Sequence, residues 1–245
     1  MADETKPDTV LSTRNVDYTF ENKLFSGYLC TPDNKRKLPG VFIVHTWLGL
    51  DNSIKARAER IASLGYAAFV VDLFGPGVLP KPPHESLEAI KPFIEDRKHF
   101  RKALSAGLES FKSMPDCSDK IAAIGYCFGG CAVLEMARDG QPVTGVVSLH
   151  GELNTTLPAK ANEVAAKVLV MHGDADIVVK PETIPAFLEE MRNAGADWEF
   201  IVYSGAKHSF TGEGAMGKST PEAGLNEHAE RRSWNRMAEF LSEVL

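Results

Sequence analysis

Three segments in the C-terminal half of the chain carry side chains whose chemistry combines: Gly125-Tyr126-Cys127-Phe128-Gly129-Gly130, Gly173-Asp174-Ala175-Asp176 and Lys207-His208-Ser209-Phe210. A thiol becomes an effective nucleophile when a base takes its proton, and the base needs a third group to fix its tautomer. Cys127 is the candidate nucleophile, His208 the candidate base and acid, and Asp176 the candidate orienting carboxylate. Asp174 competes for the last role. The fourth position of the Gly-Asp-Ala-Asp segment is where hydrolases with this triad order place the acid, and Asp174 suits a turn residue that bonds its own loop. The order nucleophile, acid, histidine also discriminates, because unrelated triad folds run in other orders.

Residues 121–131, Ile-Ala-Ala-Ile-Gly-Tyr-Cys-Phe-Gly-Gly-Cys, read as a buried strand entering a glycine-bounded turn with Cys127 at its apex. This is the form of a nucleophile elbow with cysteine in place of serine. The turn leaves no room for side chains two residues to either side, which explains the glycines. It also sets the thiol at the N-terminus of a helix over about Phe128 to Arg138, whose free N–H groups favour thiolate. Taken alone, the same stretch fits a cysteine buried as a small hydrophobe.

The four cysteines (Cys30, Cys117, Cys127, Cys131) are too few for a disulfide framework and are expected to be free thiols. Cys127 and Cys131 are spaced for one helix face and not as C-x-x-C; a redox protein would form a reversible disulfide between them. Of the seven histidines, His84, His99 and His228 lie in helical or proline-rich surface stretches, whereas His45, His150 and His172 end strands near the expected crevice. No H-E-x-x-H or comparable spacing links them, so no metal site and no cofactor are expected.

The elements that must position these groups alternate regularly. Asn15–Phe20 and Leu24–Thr31 predict an antiparallel hairpin around Glu21-Asn22-Lys23. Val41–Val44, Ala67–Leu73, Ile121–Tyr126, Val143–Leu149, Lys167–Met171 and Trp198–Tyr203 predict further strands, several wholly apolar as in a sheet buried on both faces. Helices are predicted over Asp51–Leu64, in the stretch Glu85–Lys112, after Cys127, over Pro181–Asn193 and from about Glu222 to Val244. Arg97, Lys98, Arg101 and Lys102 are interleaved with Glu95, Asp96 and Glu109 and read as a solvated helix face. Strand–helix alternation predicts a mostly parallel central sheet with helices on both faces and an N-terminal antiparallel hairpin, and the order nucleophile, acid, histidine on such a sheet is that of an α/β-hydrolase fold. Ligands of such sheets lie beyond the C-terminal strand ends. His45-Thr46-Trp47 therefore reaches the crevice, and the backbone amides of Trp47 and Phe128 are the candidate oxyanion hole.

At 245 residues with no visible linker, the chain is expected to form one domain over 1–245, with residues 1–12 as a flexible tail. A net charge of −6 argues against a nucleic-acid surface, and no run is apolar enough to span a bilayer. With no signal peptide visible, a soluble cytoplasmic protein is expected. The sequence specifies no oligomeric state.

Gly125–Gly130, His172-Gly173-Asp174-Ala175-Asp176 and Lys207–Phe210 together resemble the dienelactone hydrolase family, the carboxymethylenebutenolidase-type α/β-hydrolases. The resemblance spans nearly the whole domain and implies a Cys127-His208-Asp176 triad with an oxyanion hole from Trp47 and Phe128. The archetype carries a glutamate just before the oxyanion-hole residue and two arginines that hold a substrate carboxylate. Here Thr46 stands in the first place, and Phe74-Gly75-Pro76 and Thr211-Gly212 in the others. An anionic dienelactone would lose its charge-assisted hydrogen bonds here. Large, neutral, apolar esters or lactones would suit a pocket edged by His45, Thr46, Trp47, Phe74 and Phe210. The expected reaction is hydrolysis through a thioacyl-enzyme. Its alternatives are a hydrolase-fold binding protein without turnover and a promiscuous esterase or phosphotriesterase with another natural substrate.

Overall fold

The computed structural model describes residues 10–33, 36–212 and 220–245. At its centre lie eight strands: β1 (Leu11–Phe20), β2 (Lys23–Pro32), β3 (Leu38–Val44), β4 (Ala67–Val71), β5 (Cys117–Tyr126), β6 (Gly145–Leu149), β7 (Lys167–Gly173) and β8 (Trp198–Tyr203). They form one sheet in the order β1-β2-β4-β3-β5-β6-β7-β8. The β1–β2 and β2–β4 pairs are antiparallel, and every pair from β4 to β8 is parallel. Glu21 and Asn22, both at positive φ, make the two-residue turn of the hairpin, matching the right-handed twist of the strands it joins. β1 takes in Leu11 and Ser12, which the sequence reading had assigned to a tail; Ser12 pairs with Thr31 across the hairpin. Of the other tail residues, Val10 is exposed and 1–9 lie outside the described residues.

Among the described residues six helices cover the sheet: α1 (Asn52–Ala62), α2 (His84–Glu95), α3 (Arg97–Lys112), α4 (Phe128–Arg138), α5 (Thr183–Asn193) and α6 (Glu227–Val244). Alternation along the central strands sends side chains to opposite faces. Phe42, Val44, Ile121 and Ala123 join the cluster with α3, α4 and α5, while Val41, Ile43, Ala122 and Ile124 join the one with α1 and α6. The helical stretch Glu85–Lys112 is two helices because Asp96 is extended and caps α3, accepting the His99 amide at 3.0 Å. Asp51 caps α1 in the same way, accepting from Ser53 and Ile54 at 3.0 and 3.1 Å.

From β3 the chain crosses to β4 on one side, and from β5 it passes to β6 on the other. The loops after β3 and β5 therefore part above one crevice, the position where open α/β sheets take ligands. α4, which starts at that crevice, is pinned at its far end. The fully buried Arg138 bonds Glu135 at 3.1 Å, Glu190 at 2.9 Å and the Leu153 carbonyl at 2.6 Å, and Glu135 accepts from Arg101 at 2.8 Å. Each charge of this network has an opposite partner, so the helix that follows Cys127 is tied to α3 and α5 without leaving one of these ions unpaired.

Candidate active site

Cys127 sits between β5 and α4 with φ 54° and ψ −114°. A non-glycine residue at positive φ costs on the order of 1–3 kcal/mol, and here the surrounding glycines make that conformation attainable. A Cβ at Gly125 would lie 1.8 Å from the Gly129 carbonyl oxygen, and one at Gly129 would lie 2.1 Å from the Val44 carbonyl oxygen. The elbow thus requires glycine on both sides of the cysteine, because helix α4 enters directly against β3 and β5. The Cys127 amide is held by the Leu149 carbonyl at 3.0 Å and lies 3.2 Å from Nδ1 of His150, which accepts from it.

His208 follows β8, and its Nε2 is 3.1 Å from Sγ of Cys127. Its Nδ1 donates to Oδ2 of Asp176 at 2.9 Å. The other carboxylate oxygen, Oδ1, accepts the amides of Val178 and Val179 at 2.9 Å each. Asp176 is fully buried and His208 nearly so, while Cys127 is partly open to the cavity. Asp174 points away: it is exposed, and its Oδ1 accepts the Gly205 amide. Burial alone would push the His208 imidazole down, but the Cys127 sulfur and the Asp176 carboxylate outweigh it and hold His208 up at about 10. Burial would raise Asp176; the hydrogen bond from His208 prevails and holds the carboxyl below its ordinary range.

Beside Cys127 lies a cavity of about 300 Å³ lined by Trp47, Leu87, Ile90, Ile94, Cys127, Phe128, Cys131, Glu152, Val178, Val179, His208 and Ser209. Trp47 and Phe128, whose amides were expected to face an oxyanion, both border it. The Phe128 amide belongs to the first turn of α4, where helical N–H groups lack intrahelical acceptors.

The other residues expected at the pocket edge lie elsewhere. His45 is fully buried: Nδ1 donates to the Thr46 carbonyl at 2.7 Å, Nε2 accepts the Leu73 amide at 3.2 Å, and the ring packs on Phe74. Burial pushes its pKa down, in keeping with a neutral ring that accepts at Nε2. Thr46 turns its hydroxyl onto the Leu48 amide at 3.2 Å and so shapes its own loop. Phe74 stacks on the outer side of Phe128 and faces a different depression, next to Phe20, Phe25 and Phe93. Phe210 is fully buried against His150 and Tyr203. Of the expected pocket set only Trp47 borders the cavity, because the others spend their side chains on packing the loops.

What the sequence reading missed is the wall. Leu87, Ile90 and Ile94 form one apolar stripe of α2 over the cavity, a stripe visible in the sequence as i, i+3, i+7 spacing. His150 was also unassigned: its Nε2 lies 2.6 Å from the Thr211 hydroxyl, and its ring packs edge-on to His208 at 5.2 Å. Among the described residues, no cluster of three or more His, Cys, Asp or Glu side chains is placed to hold a metal ion. No described helix is long and apolar enough to cross a membrane.

A strained cysteine on a strand–turn–helix elbow, at the switch point of a mostly parallel sheet, is the architecture of the α/β-hydrolases. Within that class the chain belongs to the dienelactone hydrolase family, whose sequence profile matches residues 25–245. It is accordingly a hydrolase acting on lactones or esters. Two solved structures superpose with a TM-score of 0.89 over 96% of this chain. One is named m3DLH, at 35% identity and 99% of its own length; the other is a dienelactone hydrolase-like promiscuous phosphotriesterase from metagenomic libraries, at 34% identity and 98%. An uncharacterised protein of Caenorhabditis elegans is 40% identical over 59% of this chain and 94% of its own. A putative carboxymethylenebutenolidase of Yersinia pestis is 26% identical over 88% of this chain and 82% of its own.

Proposed function

We propose that the protein hydrolyses neutral esters or lactones through a thioester on Cys127, with His208 as general base and acid and Asp176 orienting it. The observation that carries this reading is the line of contacts Sγ to Nε2 at 3.1 Å and Nδ1 to Oδ2 at 2.9 Å. The sulfur attacks the carbonyl carbon, and the developing oxyanion is held by the amides of Trp47 and Phe128. The proton on Nε2 passes to the leaving oxygen as the C–O bond breaks. Nε2 then takes a proton from water, whose oxygen attacks the thioester; collapse releases the acid and returns the sulfur. The apolar stripe of α2 and the valines after Asp176 favour an uncharged acyl group in the cavity. Four free cysteines fit the reducing cytoplasm.

A short incubation with p-nitrophenyl acetate followed by intact-mass and peptide analysis tests the thioester directly. An acetyl adduct on Cys127 is expected; turnover with the adduct on another residue, or with none under single-turnover trapping, refutes it. No turnover at all would favour a hydrolase-fold binding protein. The similarity to a promiscuous phosphotriesterase supports a second reading of the same sulfur, attack at phosphorus of activated phosphotriesters as a side activity.

The pH dependence follows from His208. Its folded value of about 10 lies above the ordinary 6.5, so its charged form contributes stability that is complete below about pH 6.5 and is lost as pH rises to about 10. Chemical denaturation of wild type and His208→Gln across this range should show a stability difference that shrinks towards high pH. An imidazole NMR titration centred near 6.5 would contradict it.

A further inference from the structure

Glu152 is the sole carboxylate among the described residues that line the active-site cavity; the lining holds no lysine or arginine, although the buried Arg97 lies behind it, donating to Sγ of Cys131 at 3.2 Å and to the Asn154 carbonyl at 3.3 Å. It stands three residues after β6, and the loop that carries it is fixed. A Cβ at Gly151 would lie 2.5 Å from the Gly130 carbonyl carbon, so the backbone beside Glu152 rests directly on the first turn of α4. The Asn154 amide donates to Oε1 of Glu152 at 3.0 Å, which anchors the carboxylate on its own loop. Apart from Cys127, Cys131, His208 and Ser209 the rest of the wall is apolar, and Leu87 and Val178, both about half exposed, form an apolar mouth. The His208 charge is paired with Cys127 and Asp176, which leaves Glu152 as the carboxylate that meets an incoming acyl group, and a fixed charge in such a cavity is screened less than one on open surface.

We infer that Glu152 is a specificity-determining residue that filters substrates by charge, rejecting esters whose acyl group carries a carboxylate and accepting neutral or cationic ones. Selection of this kind works through the repulsive element as much as through the attractive one. The proposal rests on the reading that the cavity presents an ester carbonyl to Cys127, and it deepens that reading by fixing the charge class of the substrate.

The test uses three p-nitrophenyl esters of matched acyl length, ending in a tert-butyl group, a trimethylammonium group or a carboxylate. Wild type should prefer the first two over the third. Glu152→Gln should raise the ratio of kcat/KM for the carboxylate ester over the tert-butyl ester about tenfold and lower the trimethylammonium ratio, with Glu152→Ala moving both the same way. Raising the salt concentration should compress the wild-type ratios but not those of the variants. Because ratios are compared, a general loss of folded enzyme does not mimic the effect. Unchanged ratios in both variants would overturn the proposal. Should wild type turn over none of the esters, the matching amides are titrated against tryptophan fluorescence in Cys127→Ala: the same charge ranking in Kd supports the filter, and equal Kd values refute it. Full turnover by Cys127→Ala would sink the nucleophile assignment instead, while leaving the charge ratios readable.

Discussion

Cys127→Ala is expected to lower kcat/KM for p-nitrophenyl acetate by about four orders of magnitude or more, the scale of losing a triad nucleophile. The methyl group fills most of the space of the thiol and keeps the glycine-bounded elbow, so binding in the 300 Å³ cavity should survive. On the proposed mechanism the residual rate would come from the Trp47 and Phe128 amides and the bound geometry alone. Removing the sulfur also removes one of the two influences that hold His208 at about 10, so the imidazole of the variant should titrate lower. Stopped-flow turnover together with an imidazole NMR titration on the same variant reads both effects. An unaltered rate would show that ester cleavage happens elsewhere on the protein.

How much of this was legible beforehand depends on what each feature needs in order to be fixed. The span of α4, Phe128–Arg138, was readable because sterics at the elbow act within five residues at Gly125, which approaches the Gly129 and Gly130 backbone that the local turn itself brings close; the approach of Gly129 to Val44 of β3 is long-range and was not. The chain order of Cys127, Asp176 and His208 was readable because each follows a strand, and parallel strands all end on one side. The cavity wall was not, since nothing in α2 says that it folds back over a crevice built from β3, β5 and β7. Its stripe of Leu87, Ile90 and Ile94 fixes which face is apolar but not what that face covers. Loop side chains were the least legible. His45, Thr46 and Phe210 lie in loops that do reach the crevice, yet their directions are set by one or two hydrogen bonds and by ring contacts with no periodicity behind them. The hairpin entered earlier than expected because Leu11 and Ser12 gain pairing with Pro32 and Thr31, which polar composition alone does not reveal.

Asp176→Asn should cost far more than Asp174→Asn, and the reason lies in which atoms each carboxylate presents. Both amides that hold Asp176, from Val178 and Val179, donate to the same oxygen, Oδ1. An asparagine there must keep its carbonyl oxygen on those two donors, which turns its NH2 towards Nδ1 of His208. Two donors cannot face each other, so the imidazole must carry its proton on Nε2 and offer Nδ1 as acceptor. In that tautomer Nε2 already bears a proton towards Cys127 and cannot take another from the thiol or from water; the expected loss in kcat is about 10⁴-fold. Asp174 presents only Oδ1 to the Gly205 amide. Asparagine retains that acceptor, so the change should stay within about threefold, the range of a surface loop adjustment. Steady-state kinetics on the two variants, with folding checked by circular dichroism, separate the cases, and a larger loss in Asp174→Asn would move the orienting role to the exposed carboxylate.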